Sequence, residues 1–137
     1  MLEEGLITYC APTLAGIKSA NLFNYRIRTS KKEVLCEIYE LNRKLNDRGV
    51  RIETLLWKDS YVLIYVYRPG LLGYPLADVI GFIDHKGRDC KCCGIWKVYC
   101  NENEARKVFC RLEKCTQVYQ RVFANGRNIE QMTVSAS

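Results

Sequence analysis

The sequence has 137 residues, of which 48% are hydrophobic and 26% charged, with a formal net charge of +6. This length and composition are typical of one globular domain, which we place at residues 1–137, and they exclude a disordered or fibrous chain. No apolar run is long enough to span a membrane, and the acidic start of the chain is not that of a secretory signal. We therefore expect a cytoplasmic protein whose cysteines stay reduced.

The first distinctive segment, residues 6–23, is interrupted by Pro12, which favours an extended Ala11 and predicts a strand or loop leading into a short helix near Thr13. Gly16-Ile17-Lys18-Ser19 resembles half of a phosphate loop, but Gly, Lys and Ser are not contiguous and the earlier glycine is missing. A turn with a solvated lysine is therefore favoured. At a helix start, Thr13 and Lys18 would still be candidate anion contacts, because the first backbone N–H groups of a helix lack internal partners.

Residues 31–48 form a predicted helix with Thr29 or Ser30 as its N-cap and Gly49 as its C-terminal stop. Its apolar residues recur at helical spacing and share one face; they are Val34, Ile38, Leu41 and Leu45. Cys36 lies nearly opposite that face, so we expect it to be exposed.

A β-hairpin follows at residues 50–67, with a turn at Lys58-Asp59-Ser60. Alternation in its first strand places four residues on one side: Val50, Ile52, Thr54 and Leu56. The second strand, YVLIYVY, is apolar on both faces, which predicts a central strand covered on both sides. The predicted fold is a single α+β domain: a mainly antiparallel sheet built on this hairpin, with about three to four helices packed on it.

The densest group of unusual residues lies at 73–100. Pro75 suits the first position of a helix, Gly81 inside that helix indicates a close backbone contact, and Gly87 ends it. A cysteine-rich loop follows, and residues 95–100 have the character of a strand. Because this stretch and the 10–23 loop hold unusual residues without a catalytic constellation, we expect a binding surface there. Its candidate ligand-binding residues are Thr13, Lys18, Tyr74, Asp78, Trp96 and Lys97.

Asn101 caps a long predicted helix that ends at Asn125-Gly126, and residues 128–134 are predicted to form an edge strand. The buried stripe of the helix comprises Ala105, Phe109, Leu112, Thr116, Tyr119 and Phe123. Basic residues cluster on the opposite side: Lys107, Arg111, Lys114 and Arg121. That cluster suits an acidic protein partner, whereas the buried aromatic residues argue against nucleic acid.

The cysteines suggest a metal-binding or redox function. Cys90 and Cys93 have zinc-knuckle spacing, with His85 upstream and Cys100 as a further candidate ligand. A second pair is missing, because Cys110 and Cys115 are separated by about 140° on a helix and diverge. We therefore favour ordinary reduced cysteines, with Cys115 toward the core and Cys110 outward. The sequence indicates no particular cofactor.

Several motifs resemble one family, the domain of unknown function 3793. The matching pieces are CAPTLAGIKSANLF at 10–23, VLIYVYRP at 62–69, GYPLADVIGFIDHKG at 73–87, CCGIWKVYC at 92–100 and KCTQVYQRVFANGR at 114–127. The resemblance implies a bacterial (Firmicutes) protein, sometimes encoded near flavodoxin genes and so in a redox or iron-related setting, and supplies no catalytic residues. Longer members carry a further segment that this chain lacks between Pro69 and Gly73.

Three functional readings follow. The leading one is a non-enzymatic binding or accessory module, with a flavodoxin-like acidic protein as one conceivable partner. The alternative is a thiol-redox or metal-binding protein that uses the 90–100 cysteines. The third is a small enzyme acting on a phosphorylated ligand near Thr13 and Lys18.

Overall fold

The computed structural model describes residues 1–69, 92–93, 97–98 and 102–135. The elements in these ranges are, in chain order, helix α1 (Leu2–Leu14), strand β1 (Ala20–Arg26), helix α2 (Lys31–Leu45), a 3-10 turn (Asn46–Arg48), strands β2 (Arg51–Trp57), β3 (Tyr61–Tyr67), β4 (Cys92–Cys93) and β5 (Lys97–Val98), and helices α3 (Glu102–Ala124) and α4 (Ile129–Met132). Within these ranges no helix is long and apolar enough to cross a membrane.

An antiparallel sheet of order β1-β3-β2 forms the centre of the fold. Its inner face buries residues from all three strands: Phe23, Ile52, Val62, Ile64 and Val66. Helices α1 and α2 pack on this face, so the predicted single α+β domain with an antiparallel sheet is the observed fold class. Strand β3 is central, as predicted. Its second face is only partly covered, since Tyr65 and Tyr67 are half-buried and stack with ring centroids 4.7 Å apart.

The prediction for the start of the chain was wrong. Residues 2–14 form a helix that contains Pro12, and the strand follows it instead of preceding it. Proline in a helix removes a hydrogen bond and costs about 3 kcal/mol. Here burial offsets that cost: the helix places apolar residues at intervals of four, and Leu2, Leu6, Cys10 and Leu14 are fully buried.

Helix α2 has the predicted start and core face. The Ser30 hydroxyl accepts a hydrogen bond from the Glu33 N–H, and Gly49 takes the left-handed conformation after the 3-10 turn. Cys36 is exposed, as expected. On the sheet side, the Asn42 amide exchanges two 2.8 Å hydrogen bonds with the backbone of Ile52, so a side chain of α2 covers part of the edge strand β2.

The predicted alternation in β2 fails after Thr54. The pairing with β3 shifts register between Thr54 and Leu56, which is a β-bulge, and Leu56 is 51% exposed instead of facing the core. Trp57 is brought against the core in its place. An extra residue in one strand reverses the faces of the residues after it, so alternation alone misplaces them.

Helix α3 is confirmed, with Ala105, Phe109 and Leu112 buried. The helix lies against α1. Cys115 is half-buried and Cys110 exposed, so the two thiols diverge as predicted.

The prediction of an edge strand at residues 128–134 was wrong. Residues Ile129–Met132 form α4, and Asn128 caps this helix by accepting a hydrogen bond from the Gln131 N–H. Asparagine offers this local bond at a helix start, and burial of Ile129 and Met132 fixes the turn.

Strands β4 and β5 form a short antiparallel pair in which Cys93 lies opposite Lys97. Cys92–Cys93 had been expected in a loop, whereas Lys97–Val98 lies within the strand expected at 95–100. The predicted helix beginning at Pro75, its Gly81 contact and the Asn101 cap lie outside the described residues.

Candidate ligand-binding cleft at the end of helix α1

The turn between α1 and β1 is shaped by Gly16, whose φ of 76° is the left-handed conformation that favours glycine. The N–H of Gly16 donates to the Thr13 carbonyl, and the N–H groups of Ile17 and Lys18 donate to the Pro12 carbonyl. Thr13 therefore lies at the end of a helix, and the turn's N–H groups bond to helix carbonyls. The prediction that Thr13 and Lys18 offer helix-start N–H groups to an anion was wrong, because the helix runs into the turn instead of out of it.

Arg68 completes the end of α1. Its guanidinium donates to the Thr13 carbonyl at 2.6 Å and to the Leu14 carbonyl at 2.7 Å. It also donates to the carbonyls of Arg48 at 2.9 Å and Val134 at 2.6 Å. A cation at the negative end of a helix dipole is favourable, and these acceptors compensate Arg68 for its burial, which leaves it 5% exposed.

The Thr13 side chain points to a different partner from its carbonyl. Its fully buried hydroxyl donates to the Asn21 Oδ1 at 2.8 Å. The bond fixes which end of the Asn21 amide accepts and leaves its NH₂ group as the donor. One residue at the end of α1 thus bonds to Arg68 through its backbone and orients an amide on β1 through its side chain.

A cleft of about 340 Å³ lies between the α1–β1 unit and α3, a volume within the usual range for small-molecule sites. From α1, β1 and the turn, it is lined by Thr8, Tyr9, Pro12, Lys18 and Asn21; from α3, by Leu112, Glu113, Thr116 and Gln117. Lys18 is only 9% exposed, so the solvated lysine expected from the sequence is instead a buried cation at a cleft. Burial lowers the pKa of its ammonium to about 8.

Cys10 lies close enough to Lys18 for the two groups to interact electrostatically. The thiol is fully buried, and burial raises its pKa far above the ordinary value. Cys10 is therefore a neutral, unreactive thiol at neutral pH. It supplies neither a nucleophile nor a counter-charge for Lys18.

The structure brings two predicted ligand-binding residues, Thr13 and Lys18, to the cleft, Thr13 through its bond to Asn21. Lys97 is described only as a backbone position in β5, and Cys93 only as one in β4. The remaining candidates lie outside the described residues: Tyr74, Asp78, Trp96, His85, Cys90 and Cys100. Within the described ranges no group of three or more His, Cys, Asp or Glu side chains is placed to hold a metal.

Sequence reasoning did not select four residues that matter at this end of the molecule: Tyr9, Asn21, Arg68 and Glu113. The sequence carries a weak signal that Asn21 and Arg68 have partners. Asn21 is a polar residue next to apolar strand residues and Arg68 is a cation at a strand end, and each requires a hydrogen-bond partner if it is buried. Tyr9 and Glu113 gave none, because their role depends on how α1 and α3 pack.

The described elements define an α+β protein with a three-stranded antiparallel sheet. A sequence profile described as Protein of unknown function (DUF3793) matches residues 6–72 and 70–133, and the chain belongs to that family. The two matched segments overlap at 70–72. At this position the resemblance places the further segment that longer family members carry. No curated protein and no solved structure matches the chain.

Proposed function

We propose that this protein is a non-enzymatic, cytoplasmic binding module whose cleft holds a small ligand through an anionic group. The observation that carries the proposal is Lys18, a cation that is 9% exposed on the wall of a cleft. A charge removed from water interacts more strongly with an opposite charge than a solvated one does. The Asn21 amide, fixed by Thr13, adds a second donor on the same side of the cleft.

The lining chemistry favours binding over catalysis. Among the described lining residues there is neither a His nor a Cys, and the neighbouring Cys10 is a buried neutral thiol. The Thr116 hydroxyl donates to the Leu112 carbonyl of its own helix. An activated nucleophile requires an adjacent base or a depressed pKa. Lys18 has a depressed pKa, of about 8, but its ammonium still predominates at neutral pH, and that is the form that binds an anion.

Calorimetric titration with acetate and with inorganic phosphate tests the proposal. We expect Lys18→Met to weaken binding of whichever anion binds by at least about tenfold, the effect of losing a charged contact. Lys107→Met is the matched control, because it removes the same charge from an exposed position on α3 and should leave affinity unchanged. Equal affinities of wild type and Lys18→Met would contradict the proposal.

The pH dependence of binding gives an independent check. An anion stabilises the charged form of Lys18, so binding raises the pKa of that ammonium above 8. Affinity should then fall as the pH rises above 8, approaching about tenfold per pH unit. In Lys18→Met this loss should disappear.

A specific surface favours a second candidate function, docking of an acidic protein such as a flavodoxin. Lys107, Arg111, Lys114 and Arg121 are exposed on one stripe of α3, with Val118, 49% exposed, between them. Within the described ranges only Lys107 of these four forms an ion pair, with Glu104 at 3.5 Å. The stripe therefore suits a partner with acidic groups around a small apolar contact.

Co-sedimentation with a purified flavodoxin tests this docking at low and physiological salt. We expect Arg111→Glu combined with Lys114→Glu to abolish association, whereas Arg26→Glu combined with Lys32→Glu should retain it. Loss with both double variants would indicate only a net-charge effect and would overturn the α3 assignment. Binding of single-stranded nucleic acid with equal affinity would do the same.

The thiol-redox or metal-binding alternative rests on His85, Cys90, Cys93 and Cys100. Metal analysis and thiol titration of anaerobically purified protein decide it. Stoichiometric zinc or iron that is lost in Cys90→Ser and Cys93→Ser would support a metal site. Metal-free protein with ordinary thiol reactivity would remove this reading.

A further inference from the structure

The two walls of the cleft carry opposite charges. The turn after α1 contributes the ammonium of Lys18, and α3 contributes the carboxylate of Glu113. Within the described residues Glu113 forms no ion pair, and its side chain is exposed. A ligand that bridges the walls therefore meets a cation on one side and an anion on the other.

The remaining lining is partly apolar. Pro12 and Leu112 are buried, and the ring of Tyr9 is held by stacking on Phe23, with ring centroids 5.2 Å apart. Tyr9 is nevertheless 55% exposed, so it presents ring surface at the cleft. This surface suits a hydrocarbon or aromatic group, and the Gln117 amide adds a polar contact on the α3 side.

We infer that the ligand of this cleft is a free α-amino acid with an apolar side chain, bound through its carboxylate at Lys18 and its ammonium at Glu113. The inference rests on the proposed function and names its ligand class. Such a ligand carries both charges within a few bonds, and it places its side chain against Tyr9, Pro12 and Leu112. The cleft volume of about 340 Å³ accommodates a group of this size.

A phosphorylated ligand fits this charge arrangement less well. A phosphate monoester carries between one and two negative charges at neutral pH. The described lining offers it one cation, and the Glu113 carboxylate would repel it. A simple carboxylate avoids most of this repulsion but leaves Glu113 without a counter-charge. A zwitterion brings an opposite charge to each wall.

The test compares two probes that differ in one group. L-phenylalanine carries both charges, whereas 3-phenylpropionate has the same ring and carboxylate but lacks the ammonium. We expect the wild-type protein to bind L-phenylalanine about tenfold more tightly in calorimetric titrations, as expected for one charged contact. In Glu113→Gln this preference should fall to about onefold, while affinity for 3-phenylpropionate stays equal or rises. Glu104→Gln, which removes an exposed carboxylate elsewhere on α3, should keep the tenfold preference.

The outcomes separate this inference from the proposed function. If 3-phenylpropionate or phosphate binds in a Lys18-dependent manner and L-phenylalanine binds no better, the amino-acid assignment is wrong and the anion site stands. If the tenfold preference survives in Glu113→Gln, the assignment of the ammonium to Glu113 is overturned. If neither these probes nor acetate binds, both proposals fail.

Discussion

Arg68 and Lys18 are two buried cations near the same helix end, and they differ in what surrounds them. Arg68 is 5% exposed and donates to four main-chain carbonyls from α1, the turn after α2 and the tail. Lys18 is 9% exposed and lies at a cleft lined by polar and apolar side chains. The first cation holds separate segments of backbone together, whereas the second is placed where a ligand can reach it.

The difference shows that burial of a charge does not by itself indicate function. A guanidinium whose donors meet fixed carbonyls is a structural centre, because its partners are already present in the fold. A buried ammonium at a cleft carries a desolvated charge, and a ligand that brings an opposite charge into the cleft interacts with it more strongly than with a solvated one. Four substitutions test this distinction, from the largest expected effect to the smallest.

Replacing Arg68 should have the largest effect on stability. Arg68→Ala removes the guanidinium donors from four carbonyls, of which those of Thr13 and Leu14 keep a backbone donor, and we expect the free energy of unfolding to fall by about 3 kcal/mol or more. Arg68→Lys should recover only part of this, since one ammonium cannot reach all four acceptors. Urea denaturation measures both, with Arg26→Ala on β1 as a control expected to change stability by less than about 0.5 kcal/mol. A loss below about 1 kcal/mol for Arg68→Ala would contradict the structural role assigned to Arg68.

Replacing Lys18 should raise stability at neutral pH instead of lowering it. The pKa of its ammonium is about 8 in the folded state against 10.5 ordinarily, so between these values the unfolded state binds the proton and the folded state does not. Stability from this group therefore rises with pH through the window from 8 to 10.5, and below 8 the full cost of burying the charge remains. Relative to Lys18→Met, wild-type protein should gain on the order of 2 kcal/mol across the window. Denaturation at pH 7, 8, 9 and 10 measures the difference; parallel curves for the two proteins would be the contrary result.

Thr13→Val tests the residue that joins the two regions. The substitution keeps the carbonyl that accepts from Arg68 and removes the hydroxyl that donates to Asn21. We expect a loss of about 1 kcal/mol in stability, together with weaker ligand binding because the Asn21 amide is no longer oriented. Thr13→Ser keeps the hydroxyl and should retain ligand affinity. Unchanged binding in Thr13→Val would show that Asn21 plays no part in the cleft.

Ser30→Ala should have the smallest effect on stability. It serves as a reference for the loss of a helix cap that is exposed to solvent. The Ser30 hydroxyl caps α2 at an exposed position, 3.2 Å from the Glu33 nitrogen. Its loss should cost about 0.5–1 kcal/mol and leave ligand binding unchanged. If Ser30→Ala destabilises as strongly as Arg68→Ala, then burial of the cap does not explain the importance of Arg68. Thermal and urea denaturation of both variants decide this.

The elements that sequence reasoning found are those whose own residues carry the signal. Helix α2 has both a cap and a periodic core face, and the hairpin has an alternating strand and a wholly apolar strand on either side of a polar turn. Helix α3 has a long buried stripe flanked by charges. In both helices local periodicity and final burial agree.

The start of the chain was mispredicted because two local signals conflict there. Leu2, Leu6, Cys10 and Leu14 have helical spacing, yet Pro12 argues for extended backbone. Only the packing of α1 against the sheet and α3 decides in favour of the helix, and that packing is not visible in the segment. The bulge after Thr54 is similarly invisible, since it depends on pairing with β3.

The cleft was only half predictable. Lys18 was predicted from a partial resemblance to a phosphate loop and Thr13 from an expected helix start, and neither is the reason they matter. Their positions depend on Gly16 and on Arg68, which is 55 residues away from Thr13 in the sequence. Contacts over such separations, including that of the cleft with Glu113, arise from tertiary structure and leave little trace in a single sequence. The Thr13–Asn21 bond spans only eight positions, but it depends on the turn at Gly16.

The Leu14 carbonyl has a consequence for how the protein is made. It accepts hydrogen bonds from Arg68 and from the N–H of Val134, so the end of α1 is completed only by a residue translated 120 positions later. At synthesis rates of about 5–20 residues per second, the nascent N-terminal half waits roughly 6 to 24 s for that partner. During this time the Leu14 carbonyl lacks its Val134 donor, and for most of it α3 and α4 have not yet been made to cover α1. We therefore expect the ribosome-bound intermediate to be protease-sensitive at residues 13–19 and to become resistant only after Val134 leaves the exit tunnel.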